Sequence, residues 1–185
     1  MAERPPLPPL RSTDAMPAQP QAIVVIGVAG SGKSTVARAL AGHYGFVLLD
    51  ADDFHTADAK ARMAAGIPLT DAHRDPWVDA LACELQRAAQ QGRSSVLAFS
   101  GLRAAHRQRL RDSGVPARFV SLHASPEVIA ARLAARRDHF MSPQLLASQF
   151  DDLQLPIGEP DVVIVGVDRP LEQVLDEAVA ALAGT

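Results

Sequence analysis

Nine residues, GVAGSGKST from Gly27 to Thr35, satisfy the pattern G-x-x-x-x-G-K-[ST] through Gly27, Gly32, Lys33 and Ser34. A loop of this kind cradles phosphate. Its glycines let the backbone come close to an anion and turn successive N–H groups toward it, and the helix that follows adds partial positive charge. The expected nucleotide contacts are Gly27, Ala29, Gly30, Ser31, Gly32, Lys33, Ser34 and Thr35. Lys33 is expected to reach the β- and γ-phosphates, and Ser34 to ligate Mg²⁺. A second group follows in LLDADDFH, Leu48 to His55. Asp50 and Asp52 alternate at a strand tip and so face the same way. One carboxylate there can orient Mg²⁺ through water while the other accepts a proton from a substrate hydroxyl. The plainer alternative is that these acids only cap the next helix.

These groups need a scaffold that ends strands at one edge and starts helices there. The apolar runs AIVVIG, FVLLD, SVLAFS, ARFVSLHA and DVVIVGVD read as buried strands. Between them lie the helical stretches KSTVARALAGHYG, closing at Gly45, and DPWVDALACELQRAAQQG, with Pro76 in its first turn and Gly92 as its stop. GLRAAHRQRLRDSG, SPEVIAARLAARR, SPQLLASQFDDL and PLEQVLDEAVAALAG supply the rest. Near-continuous apolar strands separated by helices imply a parallel sheet covered on both faces, an α/β three-layer domain with ligands beyond the strand ends. Trp77 and Cys83 share one helix and are expected in its core.

The chain of 185 residues suits one such domain. A net charge of −3 gives no electrostatic case for nucleic acid or anionic membrane as partner. No apolar run approaches the roughly 18 residues of a membrane span. The lone cysteine, Cys83, fits a reducing cytoplasm. Residues 1–20 hold six of the 14 prolines and lack the apolar stretch of a signal peptide. They read as a disordered tail ahead of a domain spanning 21–185; PPLPP also suits a polyproline ligand.

The chain resembles the gluconokinase family of small P-loop kinases. The resemblance runs from about Val24 to Leu175 and rests on GVAGSGKST, LLDADDFH, KARMAAGIPLTDAHRDPW, FSGLRAAHRQRLR and RRDHFMSPQLLASQFDDLQLP. The segments MAAGIPLTDxxRxPW and HFMxxxLLxSQFxxL are the specific ones. The resemblance implies a P-loop NTPase fold of the nucleoside-monophosphate-kinase type, with a five-stranded parallel sheet and a small lid at about 136–143. It implies phosphorylation of D-gluconate at its terminal hydroxyl by ATP with Mg²⁺, and a homodimer. By similarity Asp52 is the base and Asp50 positions a Mg²⁺ water, an assignment that can be exchanged. His55, Arg74, Arg103 and Arg107 are substrate candidates, since guanidinium pairs with carboxylate through two parallel hydrogen bonds. Arg103, Arg107 and Arg111 also repeat at the spacing of a solvated basic face, the reading adopted for Arg111. Arg132 and Arg136 are expected across the triphosphate, Arg136 as a catalytic group. Asp168 and Pro170 are expected at the adenine edge.

The chain departs from the family pattern where substrate would sit. Thr56, Ala59 and Arg62 replace Pro, Asn and Lys; Phe99, Gly101, Arg103 and His106 replace Cys, Ala, Lys and Tyr. Asp138 replaces a lid Gly, and His73 an Asp. The nucleotide half is intact and the acceptor half edited, which can shift discrimination. Rival readings are a kinase of another sugar acid or of a shikimate-like metabolite, and a nucleotide-binding paralogue without transfer. The glycine triplet of shikimate kinases and the DGFPR of adenylate-type kinases are absent, as are the D-x-x-G and N-K-x-D of a GTPase.

Overall fold

Five strands whose residues are apolar on both sides must be covered on both sides, and the fold follows from that requirement. The computed structural model describes residues 19–135 and 143–184. The expected tail and lid, with Arg136 and Asp138, therefore lie outside the described residues save for a few at their margins.

The strands are β1 (Ala22–Ile26), β2 (Val47–Asp50), β3 (Ser95–Ala98), β4 (Ala117–His123) and β5 (Val162–Gly166). They form one parallel sheet in the order β2-β3-β1-β4-β5. The helices are α1 (Lys33–Tyr44), α2 (Ala57–Ala64), α3 (Asp71–Gln90), α4 (Ala104–Arg111), α5 (Pro126–Ala134), α6 (Pro143–Asp152) and α7 (Leu171–Ala183).

Central strand β1 is buried throughout and sends alternate residues to opposite faces. Ile23 and Val25 join Val36 and Leu40 of α1, Ile129 of α5 and Val174 and Ala178 of α7 in one core. Ala22, Val24 and Ile26 join Trp77, Val78, Leu81 and Leu85 of α3 and Leu110 of α4 in the other. In register, Val25 pairs with Ala98 of β3 and Val120 of β4, so the three strands end at one edge. That edge carries the site.

Several elements differ from expectation. α3 begins at Asp71 because Thr70 caps it, its N–H donating to His73 Nδ1 at 3.3 Å. Pro76 therefore sits in the second turn. A 3-10 helix (Ala51–Phe54) and α2 are additional. α2 is only 8 residues long and is started by Thr56, whose hydroxyl accepts from Ala59 N at 3.1 Å. Thr56 thus supplies the cap that starts this helix, and Ala59 is buried in its first turn. Cys83 is exposed, on the face of α3 opposite Leu81 and Leu85, and takes no part in the core. Among the described residues, no helix is long and apolar enough to cross a membrane.

Candidate active site

The phosphate loop connects β1 to α1, and two of its glycines are dictated by geometry. At Gly27, φ is +150° and a Cβ would lie 2.8 Å from Leu122 O and 2.8 Å from Ser31 Oγ. Gly32 caps α1 with φ +97°, and a Cβ there would meet nothing within 4 Å, so the left-handed backbone faces open space. Lys33 Nζ donates to Val28 O at 2.9 Å, within the loop itself. Ala29 N–H donates to Gln149 Oε1 of α6 at 2.7 Å.

At the tip of β2, Asp50 is fixed from two sides. Ser34 Oγ donates to its Oδ2 at 3.1 Å and Asp52 N–H to its Oδ1 at 3.1 Å. Ser34 and Asp50 thus present adjoining hard oxygen donors. No cluster of three or more His, Cys, Asp or Glu able to hold a metal exists among the described residues. That donor set fits Mg²⁺, which takes few protein ligands and fills its remaining positions with water and phosphate oxygen. The Asp52 side chain is 86% exposed, free to meet a hydroxyl, with His55 Nε2 3.8 Å away.

His55 and Trp77 form the wall beyond Asp52. Their rings stack at 4.0 Å and 19°, and Trp77 Nε1–H donates to Ala51 O at 2.7 Å. Burial pushes the His55 imidazole below its ordinary pKa, against the opposing charge of Asp52, and its Nδ1 is buried without a hydrogen-bond partner. Phe99 packs on Trp77 with the rings tilted at 59° and their centroids 5.2 Å apart. His106 is also buried, and burial, then the charges of Arg74 and Arg103, hold it below its ordinary value. Both imidazoles are neutral at pH 7.

Phosphate loop, acidic tip and arginines converge on one cavity of about 400 Å³. Ala29, Gly30, Gly32, Lys33, Ser34 and Thr35 line one end, with Asp50 beside Ser34; Asp52, His55, Arg74, Arg103 and His106 line the rest. Gly27 and Ser31 are buried within the loop and do not line the cavity.

Arg107 does not line the cavity. It is 1% exposed; its Nε and Nη2 donate to Glu159, and its Nη1 to Gly101 O at 2.8 Å and Leu102 O at 3.2 Å. With its donors spent on the fold, Arg107 is a staple for the turn before Arg103 and not the expected substrate clamp. Arg111 is not simply solvated either. It pairs with Asp161 at 2.7 Å and with Glu159, and lies 4.8 Å over the Phe119 ring. Arg132 donates to Val167 O, beside the exposed Asp168, and Pro170 caps α7. These three lie off the cavity wall, with Arg132 and Asp168 brought to one place.

Sequence reasoning missed Gln149, Asp152 and Lys60 as cavity residues. Gln149 stands in the SQF segment, so only its role was hidden. Asp152 stands at a position where the family pattern specifies no residue type.

A parallel sheet in this order, with a phosphate loop after its central strand and an acid pair at the tip of the edge strand β2, defines a P-loop kinase. A family model described as an AAA domain matches residues 23–157. A probable gluconokinase of Rattus norvegicus is 38% identical over 181 residues, covering 88% of this chain and 98% of that protein. The thermoresistant gluconokinase of Escherichia coli (strain K12) is 36% identical over 160 residues, covering 86% and 91%. The crystal structure of a gluconokinase from Sinorhizobium meliloti 1021 superposes with a TM-score of 0.82 at 39% identity, covering 89% of this chain and 92% of that one. The chain belongs to the gluconokinase family.

Proposed function

We propose that the protein transfers the γ-phosphate of ATP, with Mg²⁺, to the terminal hydroxyl of D-gluconate, giving 6-phosphogluconate and ADP. The observation that carries this is one cavity lined at one end by the phosphate loop and at the other by an exposed carboxylate and two arginines. The loop N–H groups and Lys33 hold the β- and γ-phosphates, Lys33 exchanging its bond to Val28 O for phosphate. Ser34 and Asp50 would hold Mg²⁺, which neutralises charge on the phosphate oxygens. Arg74 and Arg103 receive the acceptor carboxylate. Asp52 takes the hydroxyl proton as the new P–O bond forms and the bond to the β-phosphate oxygen breaks, ADP leaving with the electron pair. His55, neutral and stacked on Trp77, contributes a wall and a hydrogen-bonding edge for the sugar chain.

Arg136, from the lid, supplies further positive charge to the transferring phosphate, and Arg132 with Asp168 and Pro170 bounds the base. The working unit is a domain of residues 21–185 acting as a cytoplasmic homodimer. Family resemblance supports the lid, the base contacts and the homodimer; the lone Cys83 fits a reducing cytoplasm, and the proline-rich first 20 residues set the domain's start.

The test is ADP release with MgATP against D-gluconate, other aldonic and keto-sugar acids, shikimate, AMP and water. Gluconate is expected to give the highest kcat/KM, with water slow. Preference for AMP or shikimate refutes the acceptor, and tight ATP binding with no acceptor makes the protein a nucleotide-binding paralogue.

A further inference from the structure

Asp152, at the end of α6, sits between the two arginines assigned to the acceptor. Its Oδ2 lies 2.7 Å from Arg74 Nη1 and its Oδ1 lies 2.6 Å from Arg103 Nη2. Arg103 also donates to Asp71. The Asp152 side chain is 18% exposed, whereas that of Asp71 is 61% exposed, so the buried half of the arginine seat belongs to Asp152. Burial pushes the Asp152 carboxyl up, but the hydrogen bond from Arg103 and the charges of both arginines outweigh it and hold the group below the usual carboxylate range. At neutral pH it is an anion.

We propose that Asp152 is a specificity-determining residue, an internal carboxylate seated where an acidic acceptor's own carboxylate would bind, which that acceptor must displace. The inference rests on the proposed gluconate activity. Charge decides between this and a purely supporting role. Two arginines already face two carboxylates, Asp152 and Asp71. A third carboxylate entering that set gains no net attraction unless one leaves, and like charges brought together cost binding free energy. A neutral polyol of the same length meets no such competitor. Asp152 therefore narrows the preference for acid over polyol that Arg74 and Arg103 alone would give. The same helix face acts likewise on the nucleotide end. Gln149, one turn earlier, offers its Oε1 to Ala29 N–H, a donor of the phosphate loop. α6 thus presents oxygen acceptors to both ligand seats.

The test compares the parent chain with Asp152→Asn, which keeps shape and one acceptor oxygen but removes the charge. D-gluconate is the acid, and D-glucitol the neutral probe, read as acceptor or as competitive inhibitor. In Asp152→Asn, KM for gluconate is expected to fall about tenfold, with a smaller change in kcat and glucitol within about twofold, so the acid-to-polyol ratio rises. Asp152→Ser, which also lacks the charge, should move the ratio the same way. Both variants are checked by thermal melting. A KM for gluconate that rises, or shifts in step with glucitol, makes Asp152 a support for the arginines and overturns the proposal while the kinase activity stands. Failure of the parent itself to use gluconate refutes the activity and this inference with it.

Discussion

Arg107→Met separates a structural arginine from a substrate arginine. The wild-type guanidinium is 1% exposed and spends its donors on Glu159, Gly101 O and Leu102 O. Methionine fills much of the same volume without any donor. Removing one partner of a buried ion pair costs about 3–5 kcal/mol. Glu159 retains Arg111 and is 21% exposed, which lowers the cost; Gly101 O, left without its donor, raises it by about 1–3 kcal/mol where water cannot reach, while Leu102 O keeps the Gln154 N–H at 2.8 Å. The sum is about 3–5 kcal/mol, a large share of the roughly 5–15 kcal/mol a domain has. For a chain of this size that lowers Tm by roughly 6–20 °C. Scanning calorimetry gives the shift, and gluconate kinetics well below the melt give KM. A second variant, Glu159→Gln, should destabilise less, and the double variant should cost less than the two singles summed. A Tm within about 2 °C of the parent, together with a KM raised more than about tenfold, would mean that Arg107 is spent on substrate, and the staple would be refuted.

Two further outcomes follow from the site. Asp52→Asn should lower kcat at least about 10²-fold with nucleotide affinity nearly unchanged, the pattern of a lost proton acceptor; weaker nucleotide binding with kcat retained would exchange the roles of Asp50 and Asp52. Burial holds His55 and His106 below their ordinary 6.5, so the unfolded chain binds more protons once pH falls beneath that value. Stability is then complete above about pH 6.5 and declines as pH falls through the folded-state values. Urea midpoints measured downward from about pH 7.5 should show this decline, and it should be shallower in His106→Gln; equal slopes would mean that His106 titrates freely.

All five strands and the phosphate loop were legible because their signals are local. A run such as AIVVI between helical stretches admits few other structures, and GVAGSGKST names its own backbone. α2 was not legible, since 8 residues with one buried position carry almost no periodicity. Cys83 misled because apolar character was read without its helical phase; it lies two residues from Leu81 and Leu85 alike, on the other face. The arginines were the hardest. Arg103 and Arg107 share a residue type and stand four apart, Arg103 as the cap of α4 and Arg107 in its first turn, yet one lines the cavity and the other is sealed beneath it. What separates them is Glu159, 52 residues further along the chain, and no local pattern contains that partner. Asp152 escaped for the same reason: its meaning lies in Arg74 and Arg103, which only the fold brings to it.

The chain has a single tryptophan, Trp77, and the fold has placed it as an optical gauge. Its indole is pinned by the bond to Ala51 O, stacked on His55 and faces the acceptor end of the cavity. Emission excited at the red edge of absorption therefore comes from one ring in one environment. Displacing water from that wall shifts its colour, and protonating the imbalanced neighbour His55 dims it. Acceptor occupancy and the charge of His55 can both be followed in the unlabelled protein, without turnover and without a coupled assay.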